Sequence, residues 1–337
     1  MSETSSVPQC DDRTANSTCH TSAFAFDRTV PETGYTWWYI DGVSDDGHHA
    51  FVIIAFVGSV FSPYYAWRGW QDPDNHCALN IALYGRPSRW AMTERGKGQT
   101  QRSPDTYIVG QSGLRVEGND LIIMVDERAA PLPMPVRGRI VVSMSHQARN
   151  AFYLDANKNH FWQPICTSAR VDVTFDAPSL SWSGHGYVDM NVGHEPITSG
   201  FDYWDWSRTP LPDGKTRVRY VTDAPSGDRR DLNLTFDRDG SFAHASDLLD
   251  CRASKTPIWR IERRAGELAG NTPRVHRTLE DTPFYSRSLL AYPEGAGGLT
   301  VHETLSCHRL RSGIVKSMLP FRMPRWPYGR AGLASLS

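Results

Sequence analysis

The chain has 337 residues, of which 39% are hydrophobic and 22% are charged, with 36 Lys and Arg against 37 Asp and Glu. This length predicts two domains, or one large one, with well-formed cores. A formal net charge of −1 leaves no basic excess that would favour nucleic acid as a partner. Aromatic residues are plentiful, with 11 Trp, 13 Tyr and 13 Phe, which suits a packed β-barrel or an apolar ligand site.

The first 32 residues are predicted to form a disordered N-terminal tail, because residues 1–22 are rich in Ser, Thr, Asp and Gln and contain no apolar run. The lack of an apolar run also argues against a secretory signal. The most apolar segment, residues 51–60, has about half the length that a bilayer span needs. We therefore expect a cytoplasmic protein that is at most peripherally bound to a membrane.

Short runs of β-branched and aromatic residues, closed by Gly, Asp or Pro, follow the tail and predict antiparallel strands. They span residues 48–58, 76–85, 120–127, 138–144, 169–176, 216–223 and 232–237. Two of these runs, "VDVTFD" and "RVRYV", alternate strictly, as half-buried strands do. No segment predicts a long amphipathic helix, so the predicted fold class is all-β.

A weak internal repeat relates the two halves of the chain. A shift of 167 residues superposes Trp37 on Trp204, and the Asp-Gly turn at 46–47 on the one at 213–214. Each copy is predicted to contain a tryptophan-bearing strand, a turn and a strand in which apolar and polar residues alternate. The repeat predicts two similar β-domains in tandem.

The predicted domain borders follow from this repeat. The first domain is expected at residues 33–178 and the second at 179–310, with a ligand cleft where they meet. Residues 311–337 mix Arg and Lys with large apolar side chains. This basic and apolar C-terminal tail is predicted to contact a membrane surface, and a disordered basic tail is the alternative.

The densest polar stretch is "SGHGYVDMNVGHEP", residues 183–196. Its side chains of metal-ligand type are His185, Asp189, His194 and Glu195. No HExxH or HxH pair occurs there, and the spacing matches no standard zinc or iron set, so we predict no metal site. The chain also lacks a GxSxG elbow and a phosphate-binding glycine loop, so we expect neither a serine nucleophile nor a nucleotide.

An acid site is the remaining chemistry in this stretch. Tyr187, Asp189 and Asn191 lie two residues apart and share one face of an extended strand. Upstream, His160 and Trp162 are also two apart. If both segments line one apolar cavity, burial raises the pKa of a carboxyl group there and keeps it protonated. From spacing alone, Asp189 as a turn or capping residue remains the alternative.

Several long motifs resemble one family. "GYTWWYIDGVSDDG", "IAFVGSVFSPYYAW", "RWAMTERG" and "WSGHGYVDMNVGHEP" are similar to the carotenoid 1,2-hydratases, also called hydroxyneurosporene synthases, over about residues 33–325. The resemblance implies two tandem lipocalin-like (calycin) barrels and a cofactor-independent hydro-lyase. Such an enzyme adds water to the terminal C1–C2 double bond of an acyclic carotene, such as neurosporene or lycopene. The product is a 1-hydroxy carotenoid on the route to spheroidene or spirilloxanthin.

The resemblance also implies roles for particular residues. The implied catalytic residues are Asp189 as proton donor, His160, Tyr187 and Trp162. The expected substrate contacts are Asn191, Trp37, Trp38, Tyr65 and Trp204. Either His160 or Asn191 would position the attacking water. The expected partners are the carotenoid, water and the intracytoplasmic membrane, and a non-catalytic lipocalin-like carrier of carotenoid or lipid is the alternative function.

Overall fold

A computed structural model describes residues 23–245, 250–268, 270–293 and 295–325. The strands of the first half are β1 Tyr35–Ser44, β2 Ala50–Val57, β3 Cys77–Tyr84, β4 Arg89–Arg95, β5 Thr100–Ser103, β6 Thr106–Val109, β7 Ser112–Glu117, β8 Asp120–Arg128, β9 Pro135–Met144, β10 Phe152–Tyr153, β11 His160–Ala177 and β12 Ser179–Gly193. Those of the second half are β13 Tyr203–Pro210, β14 Thr216–Asp223, β15 Arg229–Phe236, β16 Phe242–His244, β17 Asp250–Ala253, β18 Arg263–Gly266, β19 Arg274–Asp281, β20 Tyr285–Ala291 and β21 Thr300–Ser306. Every strand predicted from the sequence overlaps one of these, so the all-β prediction is confirmed.

The helices in the described part of the chain are short. They are α1 Pro63–Trp67, α2 Ile197–Gly200, α3 Cys307–Leu310 and α4 Gly313–Met318, with 3₁₀ turns at Pro73–Asn75, Lys97–Gln99 and Leu319–Phe321. None of these helices has the length and apolar character that crossing a bilayer requires.

The strands form two large antiparallel sheets and one small one. The first sheet has the order β4-β3-β2-β1-β12-β11-β9-β8-β7-β6-β5, and β4 contacts β8 so that the sheet nearly closes into a barrel. The second sheet has the order β16-β15-β14-β13-β21-β20-β19, and β17 and β18 form a separate pair. One apolar core fills the barrel, and a second core lies between the two large sheets.

The predicted division after Pro178 does not follow the sheets. β12 starts at Ser179 and hydrogen-bonds to β1 on one side and to β11 on the other, so it is a central strand of the first sheet. Removing it would leave the backbone groups of both neighbours unpaired. We therefore propose that the boundary lies between Gly193 and Tyr203, where the second sheet begins.

Residues 23–32 belong to the core of the barrel. Phe24 and Phe26 are fully buried, and Phe26 packs on Trp38 with ring centroids 4.9 Å apart. The indole Nε1 of Trp38 donates a hydrogen bond of 2.8 Å to the carbonyl of Phe24. The prediction of a disordered tail is wrong for this segment, because its two phenylalanines are buried in the barrel core. Residues 1–22 lie outside the described part of the chain.

The described part of the predicted C-terminal tail folds back onto the protein. Val315, Leu319 and Met323 are buried in the core between the two sheets. Arg311 donates a 2.8 Å hydrogen bond to the carbonyl of Thr198. The alternative prediction of a disordered basic tail is therefore wrong for residues 311–325. Residues 326–337 lie outside the described ranges.

The two large sheets pack face to face, and the internal repeat runs through their contact. The contacting pairs are Trp37–Trp204 with ring centroids 5.4 Å apart, Tyr39–Trp206 at 5.1 Å, and the ion pair Asp41–Arg208. Each pair is separated by the same 167 residues. β1 and β13 therefore run in the same direction along the contact, and their inward side chains interdigitate as in aligned sheet packing.

Candidate active site

Asp189 lies in the middle of β12, on the face of the first sheet that the second sheet covers, and its side chain is 3% exposed. Its Oδ2 accepts a 2.8 Å hydrogen bond from Nε1 of Trp162 and a 2.9 Å hydrogen bond from the hydroxyl of Tyr187. Its Oδ1 has no hydrogen-bond partner among the described residues. One carboxyl oxygen is therefore held by two neutral donors, and the other is free to carry a proton.

The surroundings of Asp189 favour its protonated form. Burial raises the pKa of this carboxyl group well above its ordinary value. The hydrogen bonds from Trp162 and Tyr187 lower the pKa in turn, because they stabilise the ionised form. The negative charges of Glu303 and Asp41 add a further increase.

The two neighbouring carboxyl groups differ from Asp189 in having an arginine partner. Asp41 accepts hydrogen bonds from the guanidinium of Arg208. Glu303 Oε1 accepts a 2.6 Å hydrogen bond from Nε of Arg287. A paired cation opposes the rise in pKa that burial causes, as Arg208 does for Asp41, whose pKa is nevertheless raised. Asp189, whose donors are both neutral, is the carboxyl group of this cluster that is suited to act as an acid.

Aromatic rings from both sheets surround the acid. Tyr187 contacts Trp206 with ring centroids 5.2 Å apart, and Trp162 contacts Tyr220 at 5.4 Å. Trp204 extends this set, with its ring 5.0 Å from that of Tyr220. Ring faces attract a cation more strongly where water is excluded. The site can therefore protonate a weakly basic group and stabilise the positive charge that results.

Asn191 lies next to the acid along β12. Its backbone pairs with Trp37 on β1 and with Trp162 on β11, so the three side chains form one row across the sheet. Its amide Nδ2 donates a 3.0 Å hydrogen bond to the hydroxyl of Tyr220. The structure therefore brings the predicted residues Trp37, Trp162 and Asn191 to the same face as Asp189.

His160 lies one row further from the acid, opposite Gly193. Its Nδ1 is 2.8 Å from the hydroxyl of Tyr35, and its Nε2 is 3.3 Å from Glu195 Oε1. Burial lowers the pKa of His160, although the nearby carboxylates of Asp155 and Glu195 partly oppose this. The neutral imidazole is thus favoured, and it can accept a proton through one ring nitrogen.

Trp38 and Tyr65, which were predicted to contact the substrate, lie away from the cluster around Asp189. Trp38 points into the barrel, because side chains alternate between the two faces of β1 and Trp37 faces the second sheet. Tyr65 lies on α1, where its hydroxyl donates a 2.8 Å hydrogen bond to the carbonyl of Gly34 and its ring contacts His76. Both side chains therefore hydrogen-bond to residues other than Asp189.

His185, the first histidine of the polar stretch, has Arg208 as its partner. His185 Nδ1 lies 3.1 Å from Nη1 of Arg208, and burial together with this arginine lowers the pKa of His185 to about 3. The imidazole is therefore neutral and accepts a hydrogen bond from Arg208. Within the described ranges, no group of three or more His, Cys, Asp or Glu side chains is placed to hold a metal ion.

Sequence reasoning missed several residues of the site. They are Tyr39, Asp41, Trp206, Arg208, Tyr220, Arg287 and Glu303. Alternation along β1 would have found the first two, because Trp37, Tyr39 and Asp41 share one face. The internal repeat would then have identified Trp206 and Arg208 at the equivalent positions. No comparable signal marks Arg287 or Glu303.

A nearly closed barrel packed against a second antiparallel sheet, with a buried carboxyl group between them, defines a lipocalin-like β-protein with a candidate acid site. A family model described as "Carotenoid hydratase CrtC" matches residues 53–331. The chain belongs to this carotenoid hydratase family, which confirms the resemblance noted in its motifs.

Several relatives bear the name acyclic carotenoid 1,2-hydratase. The one from Thiocapsa roseopersicina is 47% identical over 305 residues, which cover 89% of this chain and 75% of the relative. The one from Rubrivivax gelatinosus is 45% identical over 310 residues, with the same coverage. The one from Cereibacter sphaeroides is 36% identical over 277 residues, covering 82% of this chain and 98% of the relative.

Solved structures share the fold at low sequence identity. A putative AttH from Nitrosomonas europaea has a TM-score of 0.54 and 12% identity, covering 81% of this chain and 92% of its own. Kievitone hydratase from Nectria haematococca has a TM-score of 0.51 and 10% identity, and the match covers 86% of this chain and 94% of the kievitone hydratase chain. The lipocalin-like fold class predicted from the sequence is thereby confirmed.

Proposed function

We propose that this protein is an acyclic carotenoid 1,2-hydratase, a hydro-lyase that adds water to the terminal C1–C2 double bond of carotenes such as neurosporene or lycopene. The observation that carries the proposal is the buried carboxyl group of Asp189, with Oδ1 unpartnered among the described residues and aromatic rings around it. The family membership and the names of its relatives support the same reaction.

The reaction begins with a proton transfer from Asp189 to C2 of the substrate. The π electrons of the double bond form the new C2–H bond, and the O–H bond of the carboxyl group breaks. The positive charge then lies on C1, because a tertiary cation is more stable than the secondary alternative. A carboxyl group kept protonated by burial can make this transfer near neutral pH.

The cation is stabilised by the aromatic rings and by the carboxylate that the transfer leaves behind. Tyr187 and Trp162 hold Oδ2 of Asp189, so their hydrogen bonds strengthen as the negative charge develops. Each favourably placed ring face contributes about 2 kcal/mol where water is excluded. The rings of Trp37 and Trp204 extend this apolar surface along the substrate.

Water then forms a bond to C1 through its oxygen and releases a proton. In this proposal Asn191, two residues along β12 from the acid, orients this water through its amide. Neutral His160 is the group that can accept the proton, through Tyr35 or an intervening water. Return of the proton to Asp189 restores the starting state, so one turnover consumes one water and one alkene.

The reaction is tested by incubating the purified protein with lycopene in liposomes. We expect a product heavier by one water, formed without added metal or nucleotide, and in heavy water we expect one deuterium at C2. Binding of lycopene without a change in its mass would instead identify a carrier.

We also propose that the protein sits peripherally on a membrane through α4 and the turn that follows it. Ile314 is 76% exposed and Phe321 is 79% exposed, and the basic residues Lys316 and Arg322 are close to them in sequence, with the Arg322 guanidinium packed over the ring of Trp90. Exposed apolar side chains next to basic ones suit the interface of an anionic bilayer. Of the residues that the sequence suggested for this contact, Leu319 is buried, and Arg325 pairs with Glu94.

Replacing Ile314 with Asp should weaken sedimentation with vesicles that contain anionic lipid, because a carboxylate would enter the apolar layer. The control is Gln101→Asp, which adds the same charge at an exposed position of β5. Equal sedimentation of the two variants would contradict this contact surface.

A further inference from the structure

A cavity of about 650 Å³ opens beside the candidate active site. Its floor is formed by Ile54, Asn80 and Met92, which lie on three consecutive strands of the first sheet. Its walls come from the segment 280–285 and from α4 with the following turn. The apolar and aromatic lining includes Phe61, Trp90, Phe284, Val315 and Leu319.

The floor of the cavity and Asp189 belong to one row of residues across the first sheet. Met92 pairs with Asn80, and Asn80 pairs with Ile54. Ile54 pairs with Tyr39, and Tyr39 pairs with Asp189. Paired residues point to the same face, and neighbouring strands are about 4.8 Å apart, so Ile54 lies roughly 10 Å from Asp189.

Tyr39 lies between the inner end of the cavity and the acid along this row. Its hydroxyl donates a 2.8 Å hydrogen bond to Glu303, which also binds Arg287 of the cavity lining. Its ring meets that of Tyr187 edge to face, with centroids 6.3 Å apart. The cavity is therefore directed at the acid along the contact between the two sheets.

The chemistry of the lining suits a hydrocarbon ligand. The charged groups at the inner end are already paired: Glu280 accepts a 2.7 Å hydrogen bond from Tyr84, and Arg287 binds Glu303. Among the described lining residues, the one buried polar atom without a partner is the hydroxyl of Tyr285. A polar ligand would find few groups to bind here, whereas a polyene leaves none of the paired groups unsatisfied.

The mouth of the cavity is also apolar. Phe321, Met318 and Trp259 line it, and they are 79%, 42% and 39% exposed. We infer that this cavity binds the polyene chain of the substrate, which enters past these side chains and directs its terminal double bond past Tyr39 toward Asp189. The inference rests on the proposed function, since it takes the carotene as the ligand.

A bulky side chain in the cavity tests this inference. Val315→Trp fills space at the wall, and Val315→Leu is the matched control because leucine adds little volume. We expect Val315→Trp to weaken lycopene binding, measured by the carotenoid absorption shift, and to raise KM, each by about tenfold. We expect Val315→Leu to match the wild type.

The outcomes separate this inference from the proposed function. If the wild type hydrates lycopene and Val315→Trp binds it as tightly as Val315→Leu does, the cavity is not the polyene site. If Val315→Trp weakens binding but the wild type forms no hydrated product, the cavity assignment holds and the hydratase proposal fails.

A second measurement uses the unaltered protein. A photoreactive isoprenoid hydrocarbon bound to the wild type should label peptides covering residues 280–285 and 313–323. Labelling confined to the interior of the barrel would overturn the inference.

Discussion

Asp189→Asn is expected to lower kcat/KM for lycopene by about 10²- to 10⁴-fold, which is the usual contribution of a general acid. The amide oxygen can still accept hydrogen bonds from Trp162 and Tyr187, so the local packing should persist. The amide has no proton acidic enough to give to an alkene. The loss should therefore appear in turnover, with little change in carotene binding or in Tm.

The control for this variant is Asp172→Asn, at an exposed position of the neighbouring strand β11. It makes the same carboxyl-to-amide change at a distance from the site and should leave kcat/KM within about twofold, as surface substitutions usually do. Full turnover by Asp189→Asn would show that another group donates the proton.

The pH dependence of the wild type follows from the same carboxyl group. Burial raises the pKa of Asp189 above its ordinary value, so the reactive protonated form persists at a higher pH than for an exposed aspartate. Activity should be high below this raised pKa and fall as the pH rises through it. An alkaline limb that is unchanged when Glu303 is replaced by Gln would contradict the contribution of its negative charge.

Arg208→Met is expected to destabilise the protein by about 3–5 kcal/mol, the usual cost of leaving a buried charge unpaired. Arg208 is 1% exposed and binds Asp41, which is fully buried between the two sheets. Its loss also leaves His185 without its donor. The free energy of unfolding, measured with a chemical denaturant, gives the size of the effect.

Arg170→Met provides a matched comparison, because Arg170 forms an ion pair with Asp45 in which the side chains are 52% and 58% exposed. An exposed pair of this kind contributes about 0–1 kcal/mol. The double variant Asp41→Asn with Arg208→Met should recover part of the stability lost by Arg208→Met. Equal costs for the buried and the exposed arginine would rule out the ion pair as a major link between the sheets.

Local patterns predicted some of the strands and part of the site. The alternation in "GYVDMN" correctly placed Tyr187, Asp189 and Asn191 on one face, because successive side chains of a strand point to opposite sides. The same rule separates Trp37 from Trp38, so the sequence already indicates that these two predicted substrate contacts face opposite sides of the sheet.

Sheet membership and burial could not be read locally. The internal repeat predicted a domain border near Pro178 and so assigned β12 to the second domain, yet β12 pairs with β1, whose residues lie 140 to 158 positions earlier. Residues 311–325 looked like a surface tail because they are basic, but Val315 and Leu319 are covered by the packed sheets. Both outcomes depend on partners that are distant in the chain.

The sequence by itself determined an all-β chain with an internal repeat, a family of carotenoid hydratases and a strand face that carries Asp189. These properties reside in short-range alternation and in long, distinctive motifs. Only the tertiary structure decided that Asp189 is buried between two sheets, with Glu303 and Asp41 near it and a cavity directed toward it. The physical reason is that desolvation, which raises the pKa of this carboxyl group, depends on what covers it, and the covering residues come from the other half of the chain.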